Sequence, residues 1–237
     1  MSTLPVAILA GGLASRLHSL AHRTPKALLP VAGRPFLFHQ LDLLKHEGIR
    51  RVVLCVGHLG DQIQAAVGDG RSWDLAIQYS FDGPDLLGTG GAIRQALALL
   101  GDEFFVVHGD SYGMCSFSGI ESAYRAAAQP ALMTVLHNDN RWDKSNVLFG
   151  HGRLMEYDKR SDRSDMTHID FGVSVLSREA FQPYTASRIF DLAELYRTLS
   201  LSGRLAAFEV SNRFYEIGSF GGISDTEEFL SGRSPPP

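Results

Sequence analysis

The chain has 237 residues, 44% hydrophobic and 20% charged, and its 22 Lys and Arg against 26 Asp and Glu leave a formal net charge of −4. This excludes a disordered chain, which would be poorer in apolar residues, and a dedicated nucleic-acid binder, which would be basic. The length suits one full-sized domain burying roughly 70–75% of its unfolded surface, and two cysteines, Cys55 and Cys115, make no disulfide framework.

Short apolar runs alternate with helical patterns in the first half. Val6–Leu9 reads as a strand ending at Gly11-Gly12, and residues 35–47 as a helix stopped by Gly48. Strand 52–56, helix Gly60–Val67, strand Ala76–Phe81 and helix 91–100 follow. Strand 104–107 ends at His108-Gly109-Asp110, ahead of helix 119–128 and strand 131–136. This alternation predicts an α/β fold with a Rossmann-like, mostly parallel sheet flanked by helices. Ligands of such sheets bind outside the carboxyl ends of the strands. From residue 137 the pattern becomes β-rich. Segments 147–149 and Arg153–Tyr157 read as a hairpin around Gly150-His151-Gly152. Strand 169–176, helix 191–201 and strands 206–210 and 214–217 complete it. One domain is expected, with halves 1–136 and 137–230 and a flexible tail at 231–237. Cys55 lies in an apolar run and reads as a buried small hydrophobe. His137, His151 and His168 read as loop or surface residues. No apolar run approaches the ~18 residues of a membrane span, and no basic-then-apolar leader opens the chain. A cytoplasmic protein with no membrane and no nucleic-acid partner is expected.

The most informative segment is Leu9-Ala10-Gly11-Gly12-Leu13-Ala14-Ser15-Arg16-Leu17, followed by Thr24-Pro25-Lys26 and Leu29-Pro30-Val31. Paired glycines let backbone N–H groups form an anion nest. Arg16 offers a planar fork and Lys26 a point charge, a set that suits a triphosphate. No Gly-Lys-Ser/Thr follows, so this is not a Walker A loop, and the third glycine of a dinucleotide fingerprint is missing. Leu87-Gly88-Thr89-Gly90-Gly91-Ala92 opens a helix and offers free N–H groups at its positive end. Asp110, at a strand end behind Gly109, suits a magnesium ligand, and the glycine would let a ligand come close.

The string from Leu9 to Val31 resembles the signature of sugar-phosphate nucleotidylyltransferases (NDP-sugar pyrophosphorylases), L-A-G-G-x-G-T-R-L followed by P-K and P-V. Ala14 and Ser15 stand where Gly-Thr is usual. The resemblance runs over residues 6–230 and is strongest in 6–35, 86–94 and 104–110. It implies the nucleotide-diphospho-sugar transferase type of fold, its first half binding nucleotide and its second the sugar phosphate. It places Leu9, Ala10, Gly11, Gly12, Ser15, Gly88, Thr89, Gly90 and Gly109 against the nucleotide, and Asp82, three residues after Tyr79, against the base. A carboxylate there can accept from both N1–H and N2–H of guanine but only from N3–H of uracil or thymine, which favours GTP. Asp110 matches the first metal ligand. Glu216 stands in for the family's second, an aspartate. Tyr157-Asp158-Lys159 matches an acid–lysine pair at the sugar phosphate, with Asn146, Asp170 and Gly172 on the sugar wall.

The implied reaction joins a nucleoside triphosphate and a sugar 1-phosphate, with Mg²⁺, to give NDP-sugar and pyrophosphate. Arg16, Lys26 and Lys159 are its catalytic cations. Among short family members, Thr-Pro-Lys, Leu-Gly-Thr-Gly-Gly and Tyr-Glu-Ile-Gly resemble D-glycero-D-manno-heptose 1-phosphate guanylyltransferases, which serve surface polysaccharides. A mannose 1-phosphate guanylyltransferase and a UTP- or dTTP-dependent enzyme stay open as alternatives, as do a homo-oligomeric state and a non-catalytic, nucleotide-sugar-binding regulatory subunit. A nicotinamide-dependent dehydrogenase would need an acid ending the second strand, where Val56-Gly57-His58 stands.

Overall fold

The structure, a computed structural model, describes residues 4–12, 23–185 and 188–232. Arg16 and Ser15, and most of the expected tail, lie outside the described residues.

Four strands form the parallel heart of the main sheet: β1 (Val6–Leu9), β4 (Arg51–Val56), β5 (Ala76–Phe81) and β6 (Glu103–His108), in the order β5-β4-β1-β6. Val6 of β1 stands level with Val52 on one side and Phe105 on the other. β1 and β4 are continuous apolar runs because both faces are covered. Alternate residues feed two cores. Ile8, Leu54 and Phe105 face α1 (Phe36–His46), α2 (Gly60–Val67) and α4 (Phe117–Ala127). Ala7, Val53 and Val106 face α3 (Gly88–Leu100) and α5 (Leu192–Leu201). Helices therefore flank both faces, as the alternation predicts.

α1 is representative of the local rules. It buries Phe36, Leu37, Leu41 and Leu44, each stabilising by about 1.5–3 kcal/mol. It ends in a Schellman motif, with Gly48 at φ +80° and Ile49 N–H donating to the Leu44 carbonyl at 3.0 Å. Helices α3 and α4 begin at Gly88 and Phe117, earlier than expected.

The second half is threaded into the first. β11 (His168–Ser177) lies antiparallel between β6 and β8 (Ala131–His137), and β12 (Leu205–Val210) pairs parallel to β8. The hairpin of β9 (Val147–Gly150) and β10 (Arg153–Tyr157) joins β11 at His168. His168 is buried at 6% exposure, 3.3 Å from Glu209. The surface role expected for it is therefore corrected, because β11 runs through the sheet centre.

A side layer positions the functional residues. β2 (Pro30–Val31) and β3 (Arg34–Pro35) form a short hairpin. β7 (Ser111–Gly113) pairs with β13 (Phe214–Glu216), setting Glu216 opposite Ser111. α6 (Phe220–Leu230) packs against them, closing a small core of Val31, Phe36 and Ile217. The sequence pattern does not announce α6. It carries Gly221-Gly222 and fully buries only Thr226. It is held by its Ser219 cap, which accepts from Gly222 N–H at 3.0 Å, by Thr226 Oγ1 donating to the Glu216 carbonyl at 3.0 Å, and by the half-buried Ile223, Phe229 and Leu230.

Candidate active site

β1 lies between β4 and β6, which leave it in opposite directions across the sheet. The crevice outside the carboxyl ends of β1 and β6 is the switch point where such sheets bind ligands. Two cavities open there. The first, about 210 Å³, is lined by Leu9, Ala10, Gly11 and Gly12 after β1, by Asp82, Gly88 and Thr89, and by Lys26, His108, Gly109 and Asp110. The second, about 400 Å³, is lined among others by Asn146, Lys159, Asp170, Gly172 and Glu216. His108 and Asp110 line both.

At this seam Lys26 Nζ lies 2.7 Å from Asp110 Oδ2. Lys26 reaches it from a single helical turn, Lys26–Leu28, that follows Pro25. Ser111 Oγ donates to Asp110 Oδ1 at 3.3 Å. Burial raises the Asp110 pKa, but the Lys26 ammonium, His108 and these hydrogen bonds outweigh it and hold the carboxyl below its usual range. The Glu216 carboxylate turns back on its own loop, accepting the Gly218 N–H and, at 2.6 Å, the Ser219 hydroxyl. A methyl group on Gly218 would meet that carboxylate and come within 3.1 Å of Lys26 Nζ. Lys26, Asp110 and Glu216 thus converge, although 190 residues separate the first from the last. Two carboxylates supply the oxygen donors a hard divalent cation takes, so the donor chemistry fits a metal. A carboxylate has about four lone-pair sites, so the bonds Glu216 makes locally leave capacity for one.

In the first cavity, Asp82 Oδ2 accepts Leu87 N–H at 3.3 Å. Burial pushes its pKa up, against that hydrogen bond. Gly109 lines the first cavity, and a Cβ there would also meet the Leu9 carbonyl. The helix start at Gly88 is corrected. Gly90 and Gly91 N–H groups both donate to the Phe190 carbonyl, at 3.0 and 3.3 Å. Gly90 has no room for a side chain against the Phe190 ring and does not line the cavity. Thr89 Oγ1 is occupied between Asp191 Oδ1, at 3.2 Å, and Leu192 N–H, at 2.8 Å. Two of the N–H groups expected to be free at this turn, those of Gly90 and Gly91, are therefore spent docking it on the segment ahead of α5, while Gly88 and Thr89 line the first cavity. Cys55 is 1% exposed with its pKa pushed to about 12 by burial, an inert thiol beneath the cavity floor.

On the other side, a bulge in β11 between Asp170 and Ser174, with Gly172 at φ +91°, re-aims Asp170 into the cavity. Asp170 N–H donates to Asn146 Oδ1 at 3.0 Å, and Asp170 Oδ1 accepts Gly172 N–H at 2.9 Å. Burial raises its pKa despite His108, that N–H and Lys159. Asp158, expected on this wall, is not on it. It accepts from Arg197 Nε at 3.0 Å and from Arg160 N–H at 2.8 Å, and so ties the hairpin to α5. The sequence reading missed Arg213, which stacks over Tyr215 (4.7 Å) and Trp142 (5.7 Å) and pairs with Asp225 at 2.5 Å. It also assigned no role to His108. No local spacing marks Arg213, whereas His108 stands two residues before Asp110 and its strand-end position was the available signal.

Residues 6–146 match the model of the nucleotidyl transferase family. The chain belongs to that family. It is 44% identical over 104 residues to N-acetylmuramate alpha-1-phosphate uridylyltransferase of Neisseria meningitidis, covering 44% of this chain and 45% of the relative. It is 36% identical over 105 residues to D-glycero-alpha-D-manno-heptose 1-phosphate guanylyltransferase of Campylobacter jejuni, covering 44% and 47%. The match thus spans a little under half the length of either relative. The crystal structure of HddC from Yersinia pseudotuberculosis complexed with GMP-PN superposes with a TM-score of 0.81 at 23% identity, covering 96% of this chain and 100% of that one. That likeness extends the fold through both halves. No helix among the described residues is long and apolar enough to cross a membrane.

Proposed function

We propose that this protein transfers a nucleoside monophosphate from a nucleoside triphosphate to a sugar 1-phosphate, releasing pyrophosphate, with GTP and a heptose 1-phosphate as the favoured pair. The observation that carries this is the seam: two cavities of different character meeting at His108 and Asp110, with Lys26 and Glu216 beside them. A transferase of this class has to place two anions end to end, and a seam between two cavities does so.

The attacking sugar phosphate is already an anion, so the reaction needs no general base. A sugar-phosphate oxygen bonds the α-phosphorus as the bond to pyrophosphate breaks in line, and pyrophosphate carries the electron pair away. The protein's task is to offset repulsion and fix the geometry. Lys26, shared between Asp110 and the incoming phosphates, screens the α-phosphate. Lys159 orients the sugar phosphate from the second cavity, and Arg16 is assigned the departing pyrophosphate. Asp110 and Glu216 would hold a divalent cation, Mg²⁺ being the expected one, which when bound would neutralise charge on the triphosphate. Asp82 supports guanine, since a carboxylate facing the nucleotide cavity matches two adjacent N–H donors.

The match to the uridylyltransferase at 44% identity favours a second reading, in which UTP is the nucleotide. Thermal shift with GTP, UTP, dTTP, CTP and ATP, each with Mg²⁺, separates the two. At 100 Kd the true nucleotide adds about 2.7 kcal/mol, which raises Tm by roughly 5–10 °C for a chain of this size. The largest shift is expected with GTP, and a larger one with UTP or dTTP would overturn the Asp82 assignment. Pyrophosphate release with sugar 1-phosphates then tests catalysis against mere binding, and heptose against mannose, glucose and N-acetylmuramate.

A further inference from the structure

His108 and Asp110, the residues shared by both cavities, lie on one turn between β6 and β7. That turn is gripped from three directions. Gly109 N–H donates to the Leu9 carbonyl at 3.1 Å, and Ile217 N–H donates to the Asp110 carbonyl at 2.9 Å. The third grip comes from α1. Gln40 Nε2 donates to the His108 carbonyl at 2.9 Å and to the Ser111 carbonyl at 2.7 Å. One amide nitrogen therefore ties together the residues on either side of Gly109-Asp110.

Gln40 is 3% exposed and sits among the buried apolar residues of α1. Its Oε1 is buried without a hydrogen-bond partner among the described residues. Turning the amide over would press Oε1 against two carbonyl oxygens, so only this orientation is compatible with the turn. A buried acceptor left unmatched is unfavourable. An apolar side chain of the same length would avoid it, but would leave the His108 and Ser111 carbonyls without these donors. The donors of Gln40 are spent on the turn that carries Asp110.

We infer that Gln40 is a positioning residue for the transfer reaction: from behind the turn it holds Asp110 aimed across the seam at Lys26 and at the cation Asp110 would bind. The inference rests on the nucleotidylyl-transfer reading. Gln40 lines neither cavity, so it acts through Asp110, as residues behind a metal ligand do.

Gln40→Met tests it, because methionine keeps the length and removes both the donors and the unmatched acceptor. The readouts are Mn²⁺ binding by electron paramagnetic resonance, in the presence of whichever of the five nucleotides raises Tm most, and steady-state kinetics. Mn²⁺ affinity and kcat are each expected to fall roughly 10–100-fold, while KM for the sugar 1-phosphate stays within about twofold; Tm falls as well, because two carbonyls lose their donor. Leu37→Val, a packing change on the same helix, serves as control. It is expected to lower Tm while leaving the Mn²⁺ constant alone. Unchanged Mn²⁺ affinity and kcat in Gln40→Met would overturn the inference, as would a loss that Leu37→Val reproduces. If the wild-type protein itself bound no Mn²⁺ with any nucleotide and released no pyrophosphate, the transfer reading would fail and take the inference with it. That result is distinct from a wild type that works and a Gln40→Met that matches it.

Discussion

The two cavities are built by different means. The first cavity, proposed for the nucleotide, uses backbone and small residues at the ends of parallel strands, so its shape is inseparable from the fold. Gly109 makes room for the Leu9 carbonyl and Gly90 for the Phe190 ring. The second cavity uses side chains of the second half, including Asp170 on β11 and Lys159 and Arg213 on the loops beside β10 and β13. Phosphates are common to every nucleotide and suit a fixed backbone cradle. Sugars differ in their hydroxyls and suit side chains that can be exchanged without disturbing the sheet. Substitutions on the first side should therefore damage folding or the chemical step, and those on the second should alter sugar affinity.

The largest effects are expected at the seam. Asp110→Asn and Lys26→Ala should each lower kcat by about 10²–10³-fold, as loss of a preorganised electrostatic contact does, while circular dichroism stays native. Turnover equal to wild type in either would break the assignment of the seam to catalysis. Next comes Lys159→Ala, which removes a charged hydrogen-bonding group worth about 1.5–3 kcal/mol. KM for the sugar 1-phosphate should rise about 10–100-fold, with KM for the nucleotide unchanged. A rise in both would erase the division between the cavities.

Gly90→Ala sharpens the contrast from the nucleotide side. Its methyl group would enter the Phe190 ring, and such overpacking destabilises by about 1–3 kcal/mol. A lower Tm with nucleotide binding retained in the folded fraction is expected. Normal stability with binding lost would return the turn to a ligand-facing role. The same contrast explains what the sequence discloses. Strand and helix order is legible because the central strands are buried on both faces and read as apolar runs. The turn after β1 is legible because Gly11-Gly12 ends an apolar run, and both glycines line the first cavity. The seam is legible only in part: Lys26 sits on a single helical turn, and Asp110 and Glu216 are brought together through the β7–β13 pair, two three-residue strands about a hundred residues apart in sequence. α6 stays hidden because the apolar residues it packs, Ile223, Phe229 and Leu230, are few and only half-buried, and its first turn carries Gly221-Gly222. Asp158 misleads because a charge in a hairpin looks the same whether it faces a ligand or, as here, Arg197.

Asp170 sets the function of the sugar wall against its stability. Burial, against the pull of His108, Gly172 N–H and Lys159, raises its pKa above the usual carboxylate value. The folded state then holds the proton more tightly than the unfolded state, so stability falls as pH rises from about 4, the unfolded value, through the folded pKa. At neutral pH Asp170 therefore works against folding. Asp170→Asn keeps the acceptor for Gly172 N–H and removes that cost. The variant should have the higher Tm at pH 7, by a margin that shrinks on acidification and vanishes below about pH 4, and it should bind sugar 1-phosphate more weakly because one carboxyl oxygen acceptor becomes an amide. Melting curves of both proteins from pH 3.5 to 8 measure the margin. A variant less stable than wild type at pH 7, with the gap closing in acid, would show instead that His108 and Lys159 outweigh burial, and that the wall is a folding element before it is a binding one.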